Sequence, residues 1–80
     1  DFVMVKPGMP YLDIIKIIKD NFKIPVFAYQ VSGEYSLIMH GINNKIINDD
    51  AIYESLVSFK RAGASAIVTY FADRIADKLR

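Results

Sequence analysis

The sequence lacks cysteine and lacks any excess of one charge. The absence of cysteine excludes a disulfide framework in this segment, and it has no bearing on metal-binding cysteines elsewhere. Ten basic and nine acidic residues leave a net charge of +1, and neither sign forms a block that would attract a polyanion. We therefore expect no nucleic-acid partner.

Long apolar runs and common cofactor motifs are also missing. No stretch approaches the roughly 18 apolar residues that are needed to cross a bilayer, and no signal sequence is present, so we expect a soluble, cytoplasmic protein. No glycine-rich nucleotide loop occurs. The single histidine, His40, lies inside a helical pattern without a second ligand nearby, so we expect no metal site in this segment.

Three short apolar runs alternate with helical patterns along the chain. The runs cover residues 3–6, 26–31 and 66–70, and the helical patterns cover about 11–22, 34–43, 51–61 and 72–79. The first helix is predicted to be amphipathic, with an apolar face formed by Tyr11, Ile14, Ile15, Ile18 and Phe22. The order βα, βα, α, βα predicts an α/β fold with parallel strands.

Each predicted strand ends close to a polar side chain, namely Lys6, Ser32 or Tyr70. Because parallel strands end at the same edge of a sheet, these three side chains are expected to share one pocket. Lys6 is either a catalytic amine or a solvated charge. An ordinary lysine is almost entirely an ammonium at neutral pH, so imine chemistry needs an environment that disfavours the cation, such as apolar burial.

Ser32 also has two interpretations. Its hydroxyl either caps the helix that follows or holds a substrate carboxylate beside the amino end of that helix. Lys60 and Arg61 fall in the last turn of the third helix, where cations commonly neutralise free carbonyl groups, and Gly63 is placed to end that helix in the left-handed conformation.

Four strings stand in order along the chain. They are Met-Val-Lys-Pro-Gly-Met-Pro-Tyr-Leu-Asp at residues 4–13, Ala-Tyr-Gln-Val-Ser-Gly-Glu-Tyr at 28–35, Ser-Phe-Lys-Arg-Ala-Gly-Ala at 58–64 and Thr-Tyr-Phe at 69–71. They resemble motifs of the δ-aminolevulinic acid dehydratase family, also called porphobilinogen synthase, and the first is similar to the Schiff-base lysine segment of that family. Together they extend the resemblance over essentially the whole chain.

The resemblance implies a role for each of four residues. Lys6 matches the lysine that condenses with the ketone of 5-aminolevulinate, and Ser32 and Tyr70 match the hydroxyls that hold the carboxylate of the same molecule. Tyr29 matches a tyrosine with a supporting role. The implied reaction is that of a lyase of haem biosynthesis, which joins two 5-aminolevulinate molecules into porphobilinogen with loss of two waters.

The resemblance also implies that much of the enzyme lies outside this segment. A complete (β/α)8 TIM barrel needs about 250 residues, so we expect residues 1–80 to be the C-terminal part of one such catalytic domain, with its last three strands. The inward face should expose Met4, Ala28 or Phe27, and Val68. The segment alone should be inactive, because a second lysine and the ligands of zinc or magnesium belong to other motifs. The family implies a homo-octamer.

Two alternatives remain open at this point. A different Schiff-base barrel, such as a class I aldolase, would explain Lys6 and would leave the other ordered strings unexplained. A small non-catalytic interaction module would use the apolar strands and helices as a docking surface, and its lysine would be incidental.

Overall fold

The computed structural model describes residues 1–75, in which three parallel strands alternate with α-helices. The elements are β1 (Val3–Val5), α1 (Leu12–Asn21), β2 (Val26–Gln30), α2 (Ser32–Asn43), α3 (Asp50–Ala62), β3 (Ala66–Thr69) and α4 (Ala72–Ile75). A short 3₁₀ helix, Met9–Tyr11, joins β1 to α1. The predicted order is confirmed, and the part of the last helical pattern after Ile75 lies outside the described residues.

The sheet has the strand order β1-β2-β3, with β2 at its centre. Val5 pairs with Ala28, and Gln30 pairs with Thr69, so the carboxyl ends of all three strands reach the same edge. Consecutive parallel strands joined through helices are the repeating unit of a TIM barrel. The predicted fold, a portion of such a barrel, is confirmed.

The two faces of the sheet have opposite environments. The helices cover one face, which we call the covered face, and it carries Val5, Val26, Ala28, Gln30, Ile67 and Thr69. Side chains alternate along a strand, so the opposite or open face carries Phe2, Met4, Lys6, Phe27, Tyr29, Ala66, Val68 and Tyr70. The open face corresponds to the predicted inward face of the barrel. It carries Phe27 and not Ala28, and Met4 and Val68 are exposed on it as predicted.

The apolar core lies between the covered face and the helices. Its fully buried side chains come from every layer and include Ile15, Val26, Ala28, Leu56, Phe59 and Phe71. Burying a large apolar side chain of this kind contributes about 1.5–3 kcal/mol. The core thus fixes the helices against one face only, and the open face has no layer of its own in residues 1–75.

The packing face of α1 differs from the predicted one. Ile15 is fully buried, and Leu12 and Ile18 pack against the core. Tyr11, Ile14 and Phe22 are all exposed. Helix α1 packs against α3 as well as β2, and its inward face is formed by Leu12, Ile15 and Ile18. The predicted apolar face therefore included three residues that do not pack against the core.

Hydrogen bonds close both ends of α3, and Gly63 ends the helix as predicted. Asn48 accepts a hydrogen bond from the backbone N–H of Asp50 at 2.9 Å, just where the helix begins. Gly63 ends the helix with φ +113°, and its N–H donates to the carbonyl of Phe59. No helix within residues 1–75 combines the length and apolar character needed to cross a membrane.

Candidate active site at the carboxyl ends of the strands

The structure places the three predicted residues at one edge of the sheet. Lys6 directly follows β1, Tyr70 directly follows β3, and Ser32 is the first residue of α2, two positions beyond the end of β2. Neighbouring strands lie about 4.8 Å apart, so β1 and β3 are separated by about 10 Å across the central strand. All three side chains are exposed.

Lys6 has an apolar neighbourhood on the open face. Met4 precedes it by one pleat, and Phe2 stacks on Phe27 of the central strand with ring centroids 4.6 Å apart. These side chains precede Lys6 on the open face, and the Lys6 side chain itself is exposed.

Tyr29 and Tyr70 form a pair of phenols on the open face. Val68 is the strand partner of Tyr29, and Tyr70 lies one pleat further on, so the two rings are diagonal neighbours. The Tyr70 hydroxyl raises the pKa of Tyr29 above its ordinary value of 10.0, with a smaller contribution from desolvation. The Tyr29 phenol is therefore a neutral hydroxyl at neutral pH.

The ring of Tyr70 is held from α2. Tyr35 packs against Tyr70 with a centroid distance of 5.3 Å and an interplanar angle of 38°, and it also contacts Phe71 at 4.6 Å. Tilted aromatic pairs at such distances are favourable beyond the area that they bury. The turn after β3 is thereby packed against the helix that begins with Ser32.

Ser32 does not cap α2, which corrects one of its two interpretations. The capping position is Val31, and the Ser32 side chain makes no cap hydrogen bond. The carboxylate of Glu34 reaches back from the first turn and accepts the N–H of Val31 at 2.9 Å, which is the glutamate half of a capping box. The Ser32 hydroxyl is left at the positive end of a helix of 12 residues.

The turn after Lys6 is anchored by backbone contacts. The Lys6–Pro7 peptide bond is cis, and the N–H of Gly8 donates to the carbonyl of Tyr29 at 2.9 Å. Gly8 is buried because this turn lies directly on Phe59, and a Cβ atom at Gly8 would lie 2.6 Å from the nearest ring carbon. A residue without a side chain is therefore needed for the turn to lie this close to α3.

A buried polar group lies beneath the strand ends on the covered face. Gln30 is fully buried and donates to Ser55 of α3 at 3.0 Å. Its side-chain oxygen accepts the Thr69 hydroxyl at 2.6 Å, and the Thr69 hydroxyl in turn accepts the N–H of Phe71 at 3.1 Å. These hydrogen bonds join the ends of β2 and β3. Tyr70 lies between Thr69 and Phe71 in the sequence, so both of its neighbours are held in place.

Sequence reasoning missed Glu34 and Gln30 as residues of this region. Gln30 is the one polar residue inside an otherwise apolar run, and its even spacing from Val26 and Ala28 places it on the covered face. That signal could have identified a buried polar group. Glu34 carries no local signal of a tertiary role, because an acidic side chain in the first turn of a helix is favourable on its own.

No metal centre is visible in residues 1–75, which contain no group of three or more histidine, cysteine, aspartate or glutamate side chains placed to hold an ion. His40 lies on α2, exposed, beside Asn44. Lys60 and Arg61 occupy the last turn of α3, as predicted. These residues do not fit a catalytic metal, and no step involving one is derived from them.

This chain resembles known proteins in its sequence. The sequence model of the family described as delta-aminolevulinic acid dehydratase matches residues 1–78. Curated relatives with that description include one from Bradyrhizobium diazoefficiens, 56% identical over 100% of this chain, and one from Archaeoglobus fulgidus, 52% identical over 100% of it. The chain spans 23% and 25% of the length of those two relatives.

A solved structure agrees with these matches. It is the crystal structure of delta-aminolevulinic acid dehydratase (porphobilinogen synthase) from Toxoplasma gondii in complex with the reaction product porphobilinogen. It superposes with a TM-score of 0.93 at 44% identity, and it covers 98% of this chain and 22% of its own.

Proposed function

This chain belongs to the delta-aminolevulinic acid dehydratase family, and on that premise we propose that it is part of a porphobilinogen synthase. The activity is that of a lyase, which condenses two molecules of 5-aminolevulinate into porphobilinogen with loss of two waters. The chain spans about a quarter of the length of its curated relatives, so the activity belongs to a longer protein. We place residues 1–80 in the C-terminal part of its single TIM-barrel catalytic domain.

The observation that carries this proposal is the common edge shared by one amine and two hydroxyl groups. Lys6 lies at the end of β1, and Ser32 and Tyr70 lie beyond β2 and β3. A γ-keto acid offers an electrophilic carbonyl and a carboxylate a few bonds apart. Lys6 takes the carbonyl, and the two hydroxyls take the carboxylate.

Lys6 acts as a nucleophile in this scheme. Its neutral amine nitrogen bonds to the ketone carbon, two protons reach the carbonyl oxygen, and that oxygen leaves as water to give a protonated imine. The imine then draws electron density from the neighbouring carbon, which permits its deprotonation. The neutral amine is the reactive form in the first step, because an ammonium nitrogen has no free electron pair.

Ser32, Tyr70 and Tyr29 act on the other end of the substrate. At Ser32, the hydroxyl and the positive end of α2 both attract the carboxylate. Tyr70 donates a second hydroxyl, and its ring is held in place by Tyr35. Tyr29 supports Tyr70 through their paired hydroxyls. Holding the carboxylate fixes the distance of the ketone from Lys6, so the attack becomes effectively unimolecular.

The remaining parts of the proposal lie beyond this chain. The second substrate molecule, a second lysine and the ligands of zinc or magnesium are assigned to other segments of the longer protein. The metal would supply Lewis-acid assistance to that second site. We also propose a cytoplasmic location and assembly as a homo-octamer, both on family resemblance.

Borohydride trapping of the full-length protein tests the proposal. Hydride adds to the imine carbon and leaves a stable secondary amine on the lysine, which peptide mass spectrometry locates. We expect a 5-aminolevulinate adduct at Lys6, and none at Lys19, an exposed lysine of α1. An adduct with aldol substrates alone would indicate a class I aldolase instead, and no adduct with either would indicate an interaction module.

A further inference from the structure

Glu34 is the one charged side chain that is buried within residues 1–75. It is 8% exposed, and both carboxylate oxygens accept backbone hydrogen bonds. One oxygen accepts the N–H of Met9 at 2.7 Å, and the other accepts the N–H of Val31 at 2.9 Å. Burying a carboxylate is costly unless its oxygens are satisfied, and here backbone donors satisfy both.

The two donors belong to the two turns that carry site residues. Val31 immediately precedes Ser32, and Met9 lies three residues after Lys6. Glu34 is therefore a bridge between the turn after β1 and the turn after β2. Its bond to Met9 spans 25 residues of sequence, so it is a tertiary contact and not a local helix cap.

The proposal builds on the function proposed above. We propose that Glu34 is a positioning residue, which sets the separation between the Lys6 amine and the carboxylate-binding hydroxyl of Ser32. Charge-assisted bonds are shorter and stronger than neutral ones, so a carboxylate holds the two turns more tightly than a neutral side chain would. Glu34 touches backbone donors and no substrate atom in this arrangement.

A positioning role makes a prediction that a purely structural role does not. A substrate that binds through both its ketone and its carboxylate forms the imine faster when the distance between Lys6 and the carboxylate-binding hydroxyl is fixed. A ketone without a carboxylate makes only one contact, so its rate does not depend on that distance. Levulinate and methyl propyl ketone are a matched pair of five-carbon methyl ketones, and only levulinate has the carboxylate. Loosening the bridge should therefore slow imine formation with levulinate alone.

Glu34→Gln is the test substitution, and Glu54→Gln is its control. Glutamine keeps the size and one acceptor oxygen, but its amide group faces one of the two N–H donors, so one bond of the bridge is lost. Glu54 is an exposed glutamate of α3, and the same exchange there leaves the bridge intact. Borohydride trapping in the full-length protein, with the adduct at Lys6 quantified by mass spectrometry, measures imine formation with each ketone.

We expect Glu34→Gln to slow adduct formation with levulinate roughly tenfold to a hundredfold, from the loss of one charge-assisted bond at a site that depends on orientation. The rate with methyl propyl ketone should stay within about twofold of wild type, and Glu54→Gln should match wild type with both ketones. If Glu34→Gln slows both ketones equally, or neither, Glu34 does not set this separation.

Two further comparisons keep the test decisive. Glu34→Asp retains both acceptor oxygens and the charge on a shorter stem, and it should give an intermediate loss with levulinate only; it decides the question if the glutamine variant does not fold. Wild-type protein without any ketone adduct at Lys6 would overturn the proposed function itself. A wild-type adduct together with an unchanged Glu34→Gln would overturn only the positioning role.

Discussion

The Thr69 hydroxyl donates a 2.6 Å hydrogen bond to the side-chain oxygen of Gln30, across 39 residues of sequence. Both side chains lie on the covered face, directly behind the open face that carries Tyr29 and Tyr70. The bond joins the central strand to its neighbour at the edge where the candidate site lies. The candidate site is thus supported by polar contacts on the opposite side of the sheet.

Replacement of Lys6 should abolish turnover in the full-length protein. Lys6→Ala removes the amine, and Lys6→Arg replaces it with a guanidinium that stays protonated and cannot form the imine. Because Lys6 is exposed and makes no hydrogen bond or ion pair within the described residues, both variants should fold normally. Porphobilinogen formation and circular dichroism check this, and turnover near the wild-type rate in either variant would contradict it.

Removal of either hydroxyl that we propose to bind the substrate carboxylate should weaken catalysis without abolishing it. Ser32→Ala and Tyr70→Phe each remove one hydrogen bond to a charged group, which is worth about 1.5–3 kcal/mol. This corresponds to a loss in kcat/KM of roughly ten- to a hundredfold or more. Ser36→Ala, an exposed serine in the next turn of α2, is a matched control and should leave the kinetics unchanged.

The strand ends were predictable from the sequence because their signals are local. Lys6 follows a short apolar run and precedes Pro7 and Gly8, and this pattern is typical of a strand that ends in a turn. The same reasoning located Gly63, whose left-handed conformation depends only on its neighbours in the helix. The parallel topology then places Lys6, Ser32 and Tyr70 at the same edge of the sheet, and this prediction requires no side-chain contacts.

The supporting contacts were not predictable because they join residues far apart in sequence. Glu34 has a donor in the turn after β1, and nothing near Glu34 in the sequence indicates Met9 as its partner. The capping role of Ser32 was wrong for a local reason: α2 begins at Ser32 itself, so the capping position is Val31. The exposed ring of Phe22 follows from the direction in which α1 meets α3.

The pKa of Tyr29 should depend on the hydroxyl of Tyr70, which is the largest cause of its rise. The pKa of Tyr29 is raised in the folded protein, so its protonated phenol contributes stability that is complete below the unfolded pKa and is lost as pH rises through the folded pKa. In Tyr70→Phe the largest cause is removed, and the pKa of Tyr29 should fall towards its ordinary value. Phenolate absorbance, taken as a difference from the Tyr29→Phe variant, measures both titrations; identical curves would contradict the pairing.

Gly8→Ala should destabilise the fold, whereas Gly33→Ala should not. A Cβ atom at Gly8 would lie 2.6 Å and 2.8 Å from two ring carbons of Phe59, and the ring is fully buried and cannot move aside freely. Such overpacking costs about 1–3 kcal/mol. Gly33 has no atom within 4 Å of its added Cβ and lies in α2, where alanine is the better helix former. Urea midpoints at one fixed protein concentration compare the two variants.

Residues 1–80 expressed alone should associate or lack fixed tertiary packing. The open face exposes several large apolar side chains, among them Phe2 and Tyr70 at 56% and 58%, and both outer strands present unpaired backbone edges. A complete barrel closes those edges and fills that face. Sedimentation and near-ultraviolet circular dichroism of the segment measure its association and its packing. A monodisperse monomer with fixed tertiary signals and a cooperative melt would show that the open face needs no further chain, and the segment would then be a complete domain.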